Sequence, residues 1–435
     1  MYFFAYFALF AVNFEKQMNT PHLISWNLTR RCNLACGHCY LDAVQRRNEA
    51  GGELDTAEAL RVVTEIAGPA PGAMLVLTGG EPLLRKDLEP IVEAAAQAGL
   101  MPVIGSNGCL LTGDRAKGLK ERGAAGVGIS LDSTTPAFHD RLRGQAGAWS
   151  GALAGMAAAR AAGLGVQMQT SLFEENRREL KALADLAAER GAMALNFFFL
   201  VCTGRGVTQT DLSPAVYEET LREILALQEG RPDLTVRARC APYARRLLGL
   251  HAGEGGDGYA DWSSACLAGR SYLRIGPQGD VTPCPYIPGS SGNLREQSLR
   301  EIWEKADAFV RLRTETPGGK CGQCDYRISC GGCRARALAA SGDLMAEDRK
   351  CAYRPPPGTL PETPAPAWAP EVRWEEDATR LLNRIPAFVR QRVKAGLERK
   401  ALERGEALVT LEFMHNHRPA SPPPFRPGSI REGQE

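Results

Sequence analysis

Between residue 22 and about residue 201 the chain alternates short apolar runs with longer stretches in which apolar residues recur every three or four positions. The apolar runs are His22–Leu28, Met74–Gly80, Pro102–Asn107, Gly126–Leu131, Gly165–Leu172 and Ala194–Val201. Between them lie helical patterns such as Thr56–Ala67, Asp87–Ala98, Ser150–Ala162 and Asn176–Arg190. Strand-sized runs alternating with amphipathic helices predict a parallel α/β fold with right-handed crossovers. Six such units make a doubly wound sheet or a partial barrel, and either places ligands at the C-terminal strand ends. Further on, Ser213-Pro214 reads as an N-cap and first helical residue, opening a helix over 213–229. The stretch YLRIGPQGDVTPCP reads as a hairpin with a Gly-containing turn. Residues 354–370 are proline-rich and predict an extended linker. Helical periodicity returns over Trp374–Gly405, with Leu381, Leu382, Ile385, Val389, Val393 and Leu397 on one face and Pro386 interrupting it. The final SPPPFRPGSIREGQE predicts disorder.

Composition adds bounds. The 435 residues suffice for two or three domains, and 44% apolar with 23% charged residues is a globular balance. A net charge of +2 gives no electrostatic case for nucleic acid or an anionic membrane as partner. The opening MYFFAYFALFAV is too short to span a bilayer and lacks the positive start of a signal peptide. The expectation is a cytoplasmic protein whose thirteen cysteines stay reduced and available to metal.

The chemistry-bearing residues sit where the strand pattern puts loops. Cys32, Cys36 and Cys39, spaced C-x3-C-x2-C, follow the first run. Thiolates suit iron–sulfur clusters or zinc, and a closed site takes four ligands. Three in one loop with no fourth nearby suggest a cluster with one open iron; zinc completed by a distant residue is the blander reading. Gly79, Gly80, Glu81 and Pro82 end the second run, where glycines let backbone approach a ligand and a carboxylate can hold an ammonium. Ser106 and Asn107 end the third run, and Ser130 and Asp132 the fourth. Each alone reads as a cap or turn residue; their joint placement carries the weight.

Together these motifs, C-x3-C-x2-C with His38 before Cys39, then GGEP, SNG and SLD, resemble a radical S-adenosylmethionine (SAM) enzyme core. The resemblance implies a partial (β/α)6 TIM-like barrel. It also implies a 4Fe-4S cluster on Cys32, Cys36 and Cys39, with the amino and carboxylate groups of SAM on the open iron. Gly79–Pro82 would meet the methionine ammonium, Glu81 foremost, while Ser130 and Asp132 would meet its carboxylate and ribose. Electron transfer into the sulfonium then yields methionine and a 5′-deoxyadenosyl radical, which abstracts hydrogen from the substrate. No general acid–base pair is needed for that step, and no catalytic side chain is nominated. The expected electron donor is reduced ferredoxin or flavodoxin.

A second cysteine field follows: Cys266, Cys284, Cys321, Cys324, Cys330, Cys333 and Cys351, with C-x2-C-x5-C-x2-C at its core. Such density in a reducing compartment points to metal, zinc being the bland alternative. The field resembles the SPASM extension of radical SAM enzymes. That likeness implies one auxiliary cluster on Cys321, Cys324, Cys330 and Cys351, and a second drawing on Cys266, Cys284 and Cys333. The last spacing is x2 rather than x3, and no further cysteine lies between Cys266 and Cys284. The second cluster is thus open-sited, completed by Cys240, or absent. Cys202 reads as a structural thiol.

FFLVCTGRG, RCAPYARRLL, CPYIPGSSGNLRE and CGGCRARALAASGDLMAED resemble the radical SAM enzymes of heme d1 formation and of the alternative heme pathway. The implied substrate is a tetrapyrrole whose propionate or acetate side chains undergo decarboxylation or elimination. Arg205, Arg245 and Arg270 would suit its carboxylates, against the plainer reading of solvated surface. Arg237, Arg239, Arg245 and Arg246 read as a basic patch, by default a solvated helix face. The tail resembles the small domain of a protochlorophyllide reductase subunit; His415 and His417 there are read as exposed rather than as ligands. Two alternatives stand: a maturase of a ribosomal peptide or of a tungsten cofactor, and a non-catalytic iron–sulfur carrier. The expected domains are an extension (1–21), the radical SAM core (22–205), a helical bridge (206–263), the SPASM domain (264–353), the linker (354–370), a small helical domain (371–418) and a disordered tail (419–435).

Overall fold

The computed structural model describes residues 20–41, 43–45, 51–208, 211–231, 233–251, 266–362, 372–383, 385 and 387–417. The apolar opening segment, the Gly-rich loop at 253–258, residues 363–370 of the linker and the 419–435 tail lie outside the described residues. All six apolar runs form strands: β1 (Leu23–Asn27), β2 (Met74–Thr78), β3 (Met101–Ser106), β4 (Gly126–Ser130), β5 (Gly165–Leu172) and β6 (Ala194–Phe199). They lie side by side in chain order and all pair in parallel. The α/β architecture with its partial-barrel core is the expected one.

Three further strands extend the sheet to nine. Thr235–Arg239 (β7) pairs in parallel with β6. Arg237 and Arg239 therefore lie on a strand, not on a helix face; only Arg245 and Arg246 are helical, within Ala244–His251. The expected hairpin is present as Tyr272–Ile275 (β8) against Val281–Thr282 (β9). Its first strand also joins the core, pairing in parallel with β1 through Leu23↔Tyr272 to Trp26↔Ile275. The second cysteine field thus starts from a strand fused to the main sheet.

Helices cover the sheet with the faces their periodicity prescribes. Thr56–Ala67 buries Ala59, Val62, Val63 and Ile66, and opens with a capping box between Asp55 and Glu58. One large core runs from Ile24 through Phe199 and Tyr217 to Phe309. A second, smaller core includes Val201, Ala268, Ile287, Leu312 and Cys333. The C-terminal region has its own core of Val372, Ala378, Leu382, Leu397, Ala401, Val409, Phe413 and Met414. There the single interrupted helix resolves into Glu376–Asn383 and Ala387–Glu403, joined by a third, Leu411–Asn416, and by a parallel pairing of Arg373–Trp374 with Leu408–Val409. The side chain of Val389 lies outside the described residues. His415 is exposed, whereas His417 stacks on Phe413 at 4.0 Å.

Candidate metal centres

The first centre is built on the loop after β1. Gly80 N donates to Thr29 O at 2.7 Å and Glu81 N to Arg31 O at 2.8 Å, so the segment after β2 runs beside the approach to Cys32. A Cβ on Gly79 would lie 2.5 Å from Thr29 O, and one on Gly80 2.2 Å from Arg31 O. What the two glycines admit is this neighbouring backbone. Cys32 belongs to a small buried cluster with Leu34, Ala43 and Ala148, against which Cys36, Cys39 and Cys109 pack. Each sulfur of the triad accepts one nitrogen donor: Leu34 N on Cys32 Sγ at 3.4 Å, Ala43 N on Cys39 Sγ at 3.5 Å, and Arg143 Nη1 on Cys36 Sγ at 3.8 Å. Donors aimed at thiolate sulfurs help set an iron–sulfur potential.

The two carboxylates nearby are turned into the protein. Glu81 is fully buried. Its Oε1 accepts from Ser106 Oγ at 2.9 Å and Leu83 N at 3.1 Å, and its Oε2 from Asn107 N at 2.9 Å. It thus ties the end of β2 to the end of β3 and caps the short turn Pro82–Leu84. Burial pushes its pKa up to about 7, outweighing those donors. Asn107 Nδ2 in turn reaches Asn33 Oδ1, in the cysteine loop, at 2.8 Å. Asp132 is also fully buried. Its Oδ2 takes Arg143 Nε at 2.7 Å and Nη2 at 2.6 Å, and its Oδ1 takes Ser171 N at 3.0 Å. Burial alone would raise its pKa, but the Arg143 guanidinium holds it below the ordinary carboxylate range. Asp132, which the resemblance offers with Ser130 for the carboxylate and ribose of SAM, here holds Arg143, and Arg143 reaches Cys36. Ser130 ends β4 half-buried. His139 Nδ1 accepts from Asp132 N at 3.1 Å, and burial lowers its pKa to about 4, so it stays neutral. His38 stands edge-on to Phe173, and its buried Nδ1 has no hydrogen-bond partner among the described residues. Arg143 is the residue sequence reasoning missed: it ends the helix Pro136–Arg143 with no motif around it.

In the second field, Cys321, Cys324, Cys330 and Cys351 line one cavity together with Lys320, Tyr243 and Tyr353. Three of these sulfurs again accept backbone donors at 3.4 Å, from Asp348 N, Tyr326 N and Gly332 N. Cys333 faces elsewhere, into the smaller core, and Cys240, Cys266 and Cys284 pack against that same core. Among the described residues no three His, Cys, Asp or Glu side chains converge as a single ion requires. Separately, four thiols around one cavity are a donor set of the kind an iron–sulfur cluster takes. Two of the arginines considered for substrate carboxylates are braces. Arg205 donates to Cys36 O at 2.9 Å and Ala43 O at 3.2 Å, and Arg270 to Leu312 O and Ile328 O.

Residues 26–187 match the family model of the radical SAM superfamily, 266–325 that of an iron-sulfur cluster-binding domain, and 374–418 that of the proto-chlorophyllide reductase 57 kD subunit. The AdoMet-dependent heme synthase of Methanosarcina barkeri is 39% identical over 345 residues, spanning 78% of this chain and 98% of that protein. The chain belongs to the radical SAM superfamily. As a radical SAM enzyme with an iron-sulfur cluster-binding domain, it takes a 4Fe-4S cluster and SAM as cofactors. Other relatives of this radical SAM enzyme are the pre-heme d1 synthase of Dinoroseobacter shibae, 30% identical over 76% of this chain and 85% of that one, and the PqqA peptide cyclase of Ruegeria pomeroyi, 32% identical over 78% and 90%. In fold it is similar to Streptococcus suis SuiB bound to S-adenosylmethionine, with a TM-score of 0.63 and 16% identity over 77% of this chain and 78% of that one. No helix among the described residues is long and apolar enough to cross a membrane.

Proposed function

We propose that this radical SAM enzyme modifies the carboxylate side chains of an iron tetrapyrrole, by decarboxylation or elimination, in the cytoplasm and with reduced ferredoxin or flavodoxin as electron donor. The observation that carries the reading is the near end-to-end match to the Methanosarcina heme synthase, 98% of whose length is covered. The Fe-coproporphyrin III synthase of the same organism, 30% identical over 85% of its length, supports the same substrate class.

Cys32, Cys36 and Cys39 are the proposed ligands of the SAM-binding cluster, and Cys321, Cys324, Cys330 and Cys351 those of an auxiliary one. The orphan Nδ1 of His38, buried beside the triad, is an atom such a bound group would satisfy. When bound, the cluster and SAM supply the hydrogen-abstracting radical. The chain's own residues shape and insulate the place where that happens. Gly79 and Gly80 let the segment after β2 lie against the approach to the cysteine loop, and Pro82 opens the turn that Glu81 caps. Glu81 fixes Ser106 and Asn107 at the rim from inside the protein. Asp132 orients Arg143 toward Cys36, and Ser130 borders the rim from β4. In this arrangement Glu81 and Asp132 position other groups rather than touch SAM.

The test is anaerobic formation of 5′-deoxyadenosine by the reconstituted, reduced protein, with and without iron-coproporphyrin or a siroheme-derived tetrapyrrole. A rise with tetrapyrrole and release of carbon dioxide support the reading. Background cleavage that no tetrapyrrole changes overturns it and favours a peptide substrate, as the PqqA peptide cyclase relatives would suggest.

A further inference from the structure

We propose that Cys240 is the fourth ligand of a second auxiliary cluster, shared with Cys266, Cys284 and Cys333, so that the chain holds three clusters and only the first leaves an iron open. The inference rests on reading the chain as a radical SAM enzyme with an auxiliary-cluster domain.

Cys240 lies outside the 266–325 span matched by the iron-sulfur cluster-binding domain. It follows directly on β7, the strand that adds to the far edge of the main sheet. Its three proposed partners come from the other edge and beyond: Cys266 precedes β8, Cys284 follows β9, and Cys333 caps the helix Arg334–Ser341. These points, remote in sequence, meet on one small core. Cys333 is part of it, and Cys240, Cys266 and Cys284 pack on it beside Tyr286. Electrostatic coupling between the thiols runs through the whole set: Cys284 senses Cys240, Cys333 and Cys266, and Cys333 senses Cys266 and Cys240.

The backbone carries the second observation. Cys240 has φ +57°, and it is the one non-glycine residue with positive φ among the described residues. A left-handed conformation is costly for a residue with a Cβ and persists where the surroundings over-determine it, commonly at functional sites. Here Cys240 O is gripped by Arg336 Nη2 at 2.9 Å and Tyr217 Oη at 3.0 Å. Arg336 is buried and also pairs with Asp348 at 3.0 Å, and Asp348 accepts from Cys333 N at 2.9 Å. One guanidinium thus holds the backbone of Cys240 in register with that of Cys333. A thiol that merely filled space would need neither the strained backbone nor the clamp; a small apolar residue in ordinary geometry would serve. A ligand needs both, because its sulfur must be aimed.

The strain makes the test sharp. Glycine is at ease at φ +57°, so Cys240→Gly removes the sulfur while suiting the backbone. Full-length wild-type, Cys240→Gly and Cys240→Ser proteins are reconstituted anaerobically and compared by iron and sulfide content, by Mössbauer spectra, and by EPR of the reduced clusters with and without cyanide as the added ligand. SAM is present throughout to occupy the first cluster. The expected result is wild type with three clusters and a cyanide-insensitive auxiliary signal. Cys240→Gly then loses one cluster, or keeps it with a signal that shifts on adding cyanide, while its metal-free form melts no lower than wild type. Cys240→Ser keeps the iron with an altered spectrum. Wild-type iron content and unchanged, cyanide-insensitive spectra in Cys240→Gly overturn the assignment and leave a structural thiol. Fewer than three clusters in wild type overturns the second auxiliary cluster itself. Loss of all auxiliary iron from wild type would instead remove the reading on which the proposal stands.

Discussion

Both cysteine fields carry a buried arginine–aspartate pair, and the two pairs are put to different use. In the first, Asp132 holds Arg143 with two short contacts, and the guanidinium reaches a sulfur, Cys36 Sγ, at 3.8 Å. In the second, Asp348 holds Arg336, and the guanidinium reaches a carbonyl, Cys240 O, while Asp348 itself binds Cys333 N and presents its own N–H to Cys321 Sγ. The first pair puts charge beside a thiol that its own loop already places. The second knits thiols delivered by separate elements. One is a tuning device and the other an assembly device, and the contrast follows from how far apart in sequence the thiols begin.

The largest expected effect tests whether the fields are independent. Cys32→Ala should abolish 5′-deoxyadenosine formation while the auxiliary iron remains, because the second field shares no thiol with the first. Iron and sulfide analysis beside a product assay decides it; loss of all iron would mean that the fields assemble together.

Next come the arginines themselves. Removing one partner of a buried pair strands the other charge, at a cost of about 3–5 kcal/mol. Arg336→Met and Arg143→Met should therefore both lower the melting temperature. They should part in what else they change. Arg336→Met should deplete auxiliary iron and spare SAM cleavage. Arg143→Met should keep iron in place and make the first cluster harder to reduce, since a positive donor near Cys36 favours the more negative, reduced state. Redox titration of the SAM-binding cluster in both variants is the comparison to make. Equal potentials in Arg143→Met and wild type would remove the tuning role.

The same contrast explains what was legible in the chain. The six core strands and the C-x3-C-x2-C loop are encoded locally, and both could be read from runs and spacing. The strand Thr235–Arg239 could not, because its arginine-bearing alternation reads equally well as a polar helix face, and only the open edge of β6 makes it a strand. Nor could the fusion of Tyr272–Ile275 to β1, which depends on a pairing across most of the chain. In the site, the glycines, Ser106 and Asn107 stand out as motif residues. Arg143 and Arg336 do not, since a buried arginine leaves no mark in sequence apart from its partner. Motif spacing also placed Glu81 and Asp132 at strand ends but could not say what holds them there, Ser106 and Asn107 for the one and Arg143 for the other.

A smaller effect separates those two carboxylates. The Arg143 guanidinium holds Asp132 below the ordinary carboxylate range, whereas at Glu81 burial outweighs its hydrogen-bond donors and the charge of Arg115 and raises it to about 7. A carboxyl whose folded pKa exceeds its unfolded value binds its proton more tightly when folded. Its contribution is therefore full below about pH 4.5 and is lost as pH rises through about 7. The loss amounts to at most about 3 kcal/mol. Denaturant unfolding of the metal-free protein between pH 5 and 8, wild type against Glu81→Gln, should show a decline in wild type that is flattened in the variant. Parallel curves would mean that Glu81 is ionised throughout.

The smallest effect is expected at the C-terminus, where the core of Val372 to Met414 is self-contained. Ending the chain after Pro370 should leave 5′-deoxyadenosine formation and all iron unchanged. The boundary matters, because Glu362 belongs to the second field in spite of its position in the proline-rich stretch. Its Oε2 accepts from Ile328 N at 2.9 Å, Ser329 N at 2.8 Å and Ser329 Oγ at 3.0 Å, and its backbone bonds Cys324 O and Arg327. These contacts pin the turn between Cys324 and Cys330. Ending the chain after Pro357 should therefore loosen the cavity those cysteines line and release iron faster to a chelator, with Glu362→Ala in the full chain reproducing part of the loss. Equal release rates from both truncations would place the anchor of that cavity wholly within the cysteine loops, and the second field would then be as locally held as the first.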